Sequence, residues 1–180
     1  ARAAGIKVVA HEGPGLNNVD WDFELASVKG FGETHAELLA QKMGGKGEYA
    51  MFVGSLTVPL HNAWADAAIA YLGAKYPDMK LIGERYGVAE SVDDSRKTAL
   101  DLISANPNLK GFLAFGSQGP IGAGRAIEEK KMVGQIHVLG PFSPGQGRKL
   151  VKDGAISGGF MWNPAEAGRV FVTMGKMLVD

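Results

Sequence analysis

His11-Glu12, His61-Asn62 and Trp162-Asn163 each set a ring beside a group that can hydrogen-bond, and they are the residues best equipped for chemistry. Catalysis is not what their spacing supports. The four histidines, at 11, 35, 61 and 137, show neither H-x-H nor H-x-x-x-H spacing, which makes a poor metal site. There is no cysteine, so thiolate ligands, a cysteine nucleophile and disulfides are excluded. Ser55 and Ser117 lack the G-x-S-x-G elbow of a hydrolase. Gly116 to Gly122 sits between an apolar run and a helical one, as a phosphate loop would. Its glycine spacing is not G-x-G-x-x-G, and no Lys-Ser/Thr follows, so no nucleotide or other cofactor is expected. What remains is binding.

Composition narrows the partner. Nineteen basic residues balance nineteen acidic ones, which is not the basic footprint of a nucleic-acid binder. No apolar run approaches the length of a membrane span. Apolar residues make up 46% of the 180 and are spread along the chain, enough for one substantial core. A small neutral ligand is the favoured partner.

The elements that must position these residues alternate. Ala1 to Gly5 reads as the last turn of a helix stopped by glycine, and Ile6–Ala10 as a strand. A long polar connection from His11 to about Lys29 precedes a helix over Glu33–Met43. Strands are expected at Tyr49–Val53, Lys80–Gly83, Gly111–Phe115, Ile136–Gly140 and Ala155–Met161. Between them fall helices over Val58–Lys75, from the cap at Ser91 to Asn106, over Pro120–Lys131 and over Gly145–Lys152, and a closing helix starts at Pro164. Short apolar strands alternating with helices specify an α/β fold, a parallel sheet with helices on both faces.

In such sheets ligands gather where the strands end. The residues there are His11, Glu12, His61, Asn62, Phe115, Ser117, Phe142, Trp162 and Asn163. A sugar asks for this mixture: its hydroxyls bond carboxylate, amide and imidazole, most strongly the ionised carboxylate, and its C–H faces pack on rings. Each residue also has a plainer reading. Glu12 fits a solvated loop, His61 the first turn of an amphipathic helix, and Trp162 ordinary packing. His35, in a helix, and His137, in a strand, read as structural.

Taken in order, Gly5 to Glu12, Phe52 to Val58 with His61 to Trp64, Pro107 to Phe112, Gly122 to Gly124 with Ala126 to Glu129, and Trp162 to Gly168 resemble the type I periplasmic binding proteins. The resemblance is to the branch that holds rhamnose- and autoinducer-2-binding proteins of ABC importers. It implies two α/β lobes with the ligand clamped between them, a membrane permease as partner, a periplasmic location and no catalysis. On that template residues 1–26 are a remnant of the amino lobe, 27–162 the carboxyl lobe and 163–180 a helix of the amino lobe. Most of the first lobe and a signal peptide would lie upstream of Ala1. Glu12 matches the family's ligand-binding carboxylate, His61 a polar contact, Phe115, Ser117 and Phe142 later strand ends, and Trp162 the hinge. Departures at Leu60-His61, Glu12, Phe115 and Ser117 disfavour autoinducer-2 and suit a neutral, rhamnose-like monosaccharide. Apolar surface on Ile6–Ala10 and on the Val170, Phe171 and Met174 face is expected to be covered by self-association or displaced. The effector domain of a sugar-responsive repressor shares the fold, and is the alternative from another class.

Overall fold

A computed structural model describes residues 1–180. After a short 3-10 turn at Arg2–Ala4 come β1 (Val9–His11), β2 (Trp21–Phe23) and α1 (Val28–Met43). Then β3 (Gly47–Val53), α2 (Pro59–Lys75), β4 (Met79–Gly87), α3 (Val92–Ala105), β5 (Leu109–Phe115) and α4 (Gly119–Glu129) alternate. The chain ends with β6 (His137–Leu139), α5 (Pro144–Lys152) and α6 (Pro164–Met177).

Side-chain alternation along the strands decides the layers. Tyr49, Met51 and Val53 of β3, with Leu113 and Phe115 of β5, pack on α1 and α2 around Phe31, Leu39, Trp64 and Leu72. Ala50, Phe52, Phe112 and Ala114 point the other way, onto Leu102, Ile121, Ile127 and Leu150 of α3, α4 and α5. The central strands are therefore apolar on both faces, as a doubly covered parallel sheet requires. All pairings are parallel, in the order β4-β3-β5-β6. The chain moves outward from β3 to β4 and then crosses back to β5, so β3 and β5 flank the point where the winding reverses. On the β4 side β3 advances from Tyr49 to Met51 while β4 advances from Leu81 to Arg85, a bulge around Gly83. A separate two-stranded parallel sheet joins β1 to β2, and α6 packs on it through Phe171, 5.4 Å from Phe23.

Five elements differ from the sequence reading. Strand β1 is Val9–His11, not Ile6–Ala10, so His11 lies in the strand instead of after it. The connection after His11 contains β2, whose run Trp21–Phe23 is short and interrupted by Asp22. Helix α1 starts at Val28, not Glu33, with the Ser27 hydroxyl accepting from the Gly30 N–H. Gly30 and Gly32 hid this turn, since glycine weakens a helix. Gly32 is there for packing: a Cβ would lie 2.4 Å from the Trp64 carbonyl oxygen, so its absence lets α1 and α2 close on each other. Strand β4 runs to Gly87 rather than Gly83. Ala155–Met161 is not a strand. It makes one isolated bridge, Gly158 to Leu139, and then leaves the sheet.

The α1–α2 contact is pinned on its outer side by Glu37. Its carboxylate accepts from Tyr71 Oη at 2.7 Å, and from Lys75 Nζ, Tyr76 Oη and Gln41 Nε2, each at 2.9 Å. The Lys75 hydrogen bond, followed by those of Tyr71 and Gln41, holds the Glu37 carboxyl at about 2 instead of 4.5. A depressed carboxylate stabilises the fold above its unfolded value and ceases to as pH falls through its folded one. Glu37→Gln should accordingly lower the melting temperature at pH 7, and the gap to wild type should shrink below pH 4.5 and close near pH 2. Thermal melts across that range check it; a gap independent of pH would remove Glu37 from this role.

The apolar surfaces flagged in the sequence remain partly open. Ile6 and Phe171 are exposed and Val170 and Met174 half-buried, and nothing in the structure supports the self-association expected to cover them.

Candidate functional site

The carboxyl ends of β1 and of all four strands of the larger sheet converge on one cavity of about 250 Å³. Glu12 follows β1, His61 follows β3 on α2, and Glu90 follows β4. Gly116 and Ser117 follow β5, and Pro141 follows β6. Trp64, Met161 and Trp162 complete the wall. A second, more open chamber of about 520 Å³ shares Ser117, Met161 and Trp162 with the first and continues past Ser143 and Asn163. This is the location expected for a ligand at the winding reversal of an α/β sheet, and two adjoining chambers of these volumes suit a small molecule.

Backbone and packing fix the side chains. Glu12 has φ 62, the left-handed region that costs a non-glycine residue about 1 kcal/mol or more. Its neighbour His11 closes β1. His11 Nδ1–H donates to the Phe23 carbonyl at 2.8 Å, and its ring stacks on Phe23 at 4.6 Å. His11 Nε2 lies 3.7 Å from Glu12 Oε1, too long for a hydrogen bond, and is buried with no partner. Burial, and secondarily the negative charge of Glu90, push the Glu12 carboxyl upward, against an opposing effect of His11.

His61 occupies the first turn of α2, three residues before Trp64, and their rings stack at 5.3 Å. The Gly54 N–H donates to His61 Nδ1 at 3.1 Å. The neutral ring therefore carries its proton on Nε2, which no protein group engages. Burial lowers the His61 pKa, opposed by Glu90, whose Oε1 is 3.7 Å from Nδ1. Trp64 is 2% exposed and its Nε1–H has no partner. Trp162 meets Trp64 and Phe31 at 5.7 Å and His11 at 6.0 Å, so one indole joins the larger sheet's helices to β1.

Of the nine residues singled out in the sequence, the structure brings Glu12, His61, Ser117 and Trp162 to the first chamber and Asn163 to the second. Asn163 also caps α6, its Oδ1 accepting from the Ala165 N–H at 2.9 Å. His11 stands behind Glu12. The other three lie off the wall. Asn62 is consumed by its own helix entrance: Nδ2 donates to the Ser55 and Val58 carbonyls at 3.1 and 2.8 Å, and Oδ1 accepts from Arg85 at 3.0 Å. Phe115 is fully buried beneath the cavity among Phe31, His35 and Trp64, because strand alternation directs it to the α1–α2 face. Phe142 turns over the opposite face and packs on Gly147 of α5, where a Cβ would meet its ring at 2.3 Å. Glu90, Trp64 and Met161 were missed. Glu90 would have been found had β4 been read to its true end, since it stands just beyond it.

Of the two remaining histidines, His35 is wholly internal: Nδ1–H donates to the Phe31 carbonyl at 2.9 Å and Nε2 accepts from the Phe160 N–H at 3.3 Å. His137 Nδ1 lies 3.2 Å from Ser157 Oγ. No group of three or more acidic, histidine or cysteine side chains is placed to hold a metal ion, and no helix is long and apolar enough to cross a membrane.

The chain belongs to the family described as periplasmic binding protein domain, whose profile matches residues 1–180. Its fold is that of solved sugar-transport proteins. A sugar ABC transporter protein from Actinomyces odontolyticus superposes with a TM-score of 0.76 at 23% identity, over 91% of this chain and 53% of that one. A carbohydrate transporter solute-binding protein from Agrobacterium radiobacter, in complex with D-arabinose, gives 0.78 at 21%, over 86% and 54%. An ABC transporter solute-binding protein from Clostridium phytofermentas, with bound L-rhamnose, gives 0.76 at 22%, over 83% and 47%. The chain thus spans about half the length of these proteins. Among proteins of curated function, no sequence matches significantly.

Proposed function

We propose that this chain is part of the substrate-binding component of an ABC sugar importer acting outside the cytoplasmic membrane, in the periplasm. The observation that carries the reading is the convergence of Glu12, His61, Glu90, Ser117 and Trp162 on one cavity at the strand ends. Carboxylates and an imidazole offer partners to hydroxyl groups, while the Trp162 indole offers a face to C–H groups. The packing supports the proposed lobe assignment: both large apolar clusters draw their buried residues from Phe31 to Ile156, inside the proposed carboxyl lobe 27–162. Strands β1 and β2 with α6 form a second body that meets it through Trp162. Residues 1–26 and 163–180 then belong to the opposing lobe. Sugar contacts made by both bodies at once favour the closed arrangement, a hinge transition driven by differential affinity, and a membrane permease is the partner that accepts the closed form.

A rhamnose-like monosaccharide is the first compound to try. Calorimetry on the whole protein with L-rhamnose, D-arabinose and common hexoses should detect binding by at least one. Glu12→Ala should weaken that binding by about 1 kcal/mol or more, and Trp162→Ala should weaken it without loss of the fold. Absence of heat with every sugar, or affinity indifferent to both substitutions, would remove the site.

A further inference from the structure

We propose that the ligand carries a protonated amino group seated at the Glu12 end of the cavity, making it an amino sugar instead of a neutral one. The inference rests on the sugar-site reading above and replaces the neutral monosaccharide with a more specific class. It is carried by a count of donors and acceptors. No lysine or arginine lines either chamber, while two carboxylates, Glu12 and Glu90, line the first.

The shortage of donors is sharpest around Glu12. His11 spends its Nδ1–H on the Phe23 carbonyl, and its Nε2 is buried 3.7 Å from Glu12 Oε1, too far to hydrogen-bond it. Behind it Glu24 Oε1 is also buried without a partner, and Glu24 Oε2 lies 3.9 Å from His11 Nδ1. The Glu12 carboxylate receives no hydrogen bond from the protein, so a ligand must supply its donors. An ammonium group is donor-only, with three N–H groups and a positive charge, and its bonds to carboxylate are of the stronger, charge-assisted kind.

At His61 the chamber offers a donor beside its second carboxylate, Glu90. His61 Nε2–H is unengaged, and the Trp64 Nε1–H is without a partner on a side chain 2% exposed. The His61 Nε2–H suits the oxygens of a sugar ring or its hydroxyls, whereas the Trp64 Nε1–H is closed off by burial. The chamber therefore sets an acceptor at Glu12 and, across its lining, a donor at His61. A uronic acid would set its carboxylate among carboxylates and is rejected.

The test is calorimetry on the whole protein with matched pairs: D-glucose and D-glucosamine, D-galactose and D-galactosamine, D-mannose and D-mannosamine. L-rhamnose and D-galacturonic acid are added. One amino sugar should bind about tenfold or more tighter than its neutral counterpart, and the uronic acid should give no heat. Glu12→Gln should bring the pair toward parity, and Glu90→Gln, at a more exposed position, should narrow the difference and serve alone if the first variant does not fold. A neutral sugar that binds as well as its amino counterpart sinks the amine while sparing the sugar site. No binding by any of them sinks both. A preference unchanged in the variants places the amine elsewhere and overturns the assignment to Glu12.

Discussion

The protein should lose on the order of 3 kcal/mol of stability through His35 alone as pH falls from 6.5 to 4. Burial dominates, lowering the His35 pKa from 6.5 to about 4 against the smaller opposing effects of its bonds to Phe31 and Phe160. Between those two values the unfolded chain takes up a proton that the folded chain refuses. Stability therefore rises with pH across this window and is lost on acidification. Glutamine cannot take the proton, so His35→Gln should flatten the dependence whatever its own cost at neutral pH. Urea unfolding of both proteins at intervals from pH 4 to 7 measures this, and equal slopes would refute it. The ring is also stacked on Phe160 at 4.0 Å and meets Phe31 at 4.6 Å, so its protonation strikes the packing directly beneath Trp64 and Trp162.

Gly140→Ala and Gly159→Ala should each destabilise by more than about 3 kcal/mol. A Cβ on Gly140 would stand 2.0 Å from the Ala114 carbonyl oxygen, and one on Gly159 would stand 1.9 Å from the Gly140 carbonyl oxygen. Both residues have φ near 150°, where a side chain is strained in any surroundings. The contacts form a stack: β5 backbone, then Gly140, then Gly159. The chain leading to Met161 and Trp162 can lie this close to the sheet only without side chains at those points. Gly175→Ala is the control, because that glycine lies in α6 with open space around it, and alanine is the better helix former. Thermal melts should show the first two far below wild type and the control level with it or above it. Near-native stability for either of the first two would contradict the stacked geometry.

The alternation of elements was legible because each helix carries its stop in the sequence. Gly44, Asn106 and Pro77 end elements close to where they were placed, and Ser91 caps α3, accepting from the Asp94 N–H at 3.2 Å. Proximity to a strand end was legible too, which is how Glu12, His61, Ser117 and Trp162 were found. Direction was not. Phe115 is the last residue of its strand and Ser117 stands two beyond, yet one is buried under the cavity and the other lines it. The sign of a strand's alternation comes from which helices cover which face, and local sequence does not contain that. Asn62 was indistinguishable from a ligand contact because its partner, Arg85, comes from β4, a different element. The missed β2 and the supposed final strand fail for one reason: three residues, or a single bridge, leave no periodicity to read.

The bulge in β4 reaches beyond local geometry. A parallel sheet ordinarily offers two flanks onto which a foreign strand can graft. Here one flank is β4, whose ladder is interrupted around Gly83 and whose neighbouring residues include the charged Glu84 and Arg85, Arg85 being paired with Asp66. The other is β6, three residues long and partly occupied by Gly158. Interrupted, charged and very short edges are the devices that resist templated growth. The larger sheet is consequently poorly suited to recruiting copies of itself along either flank.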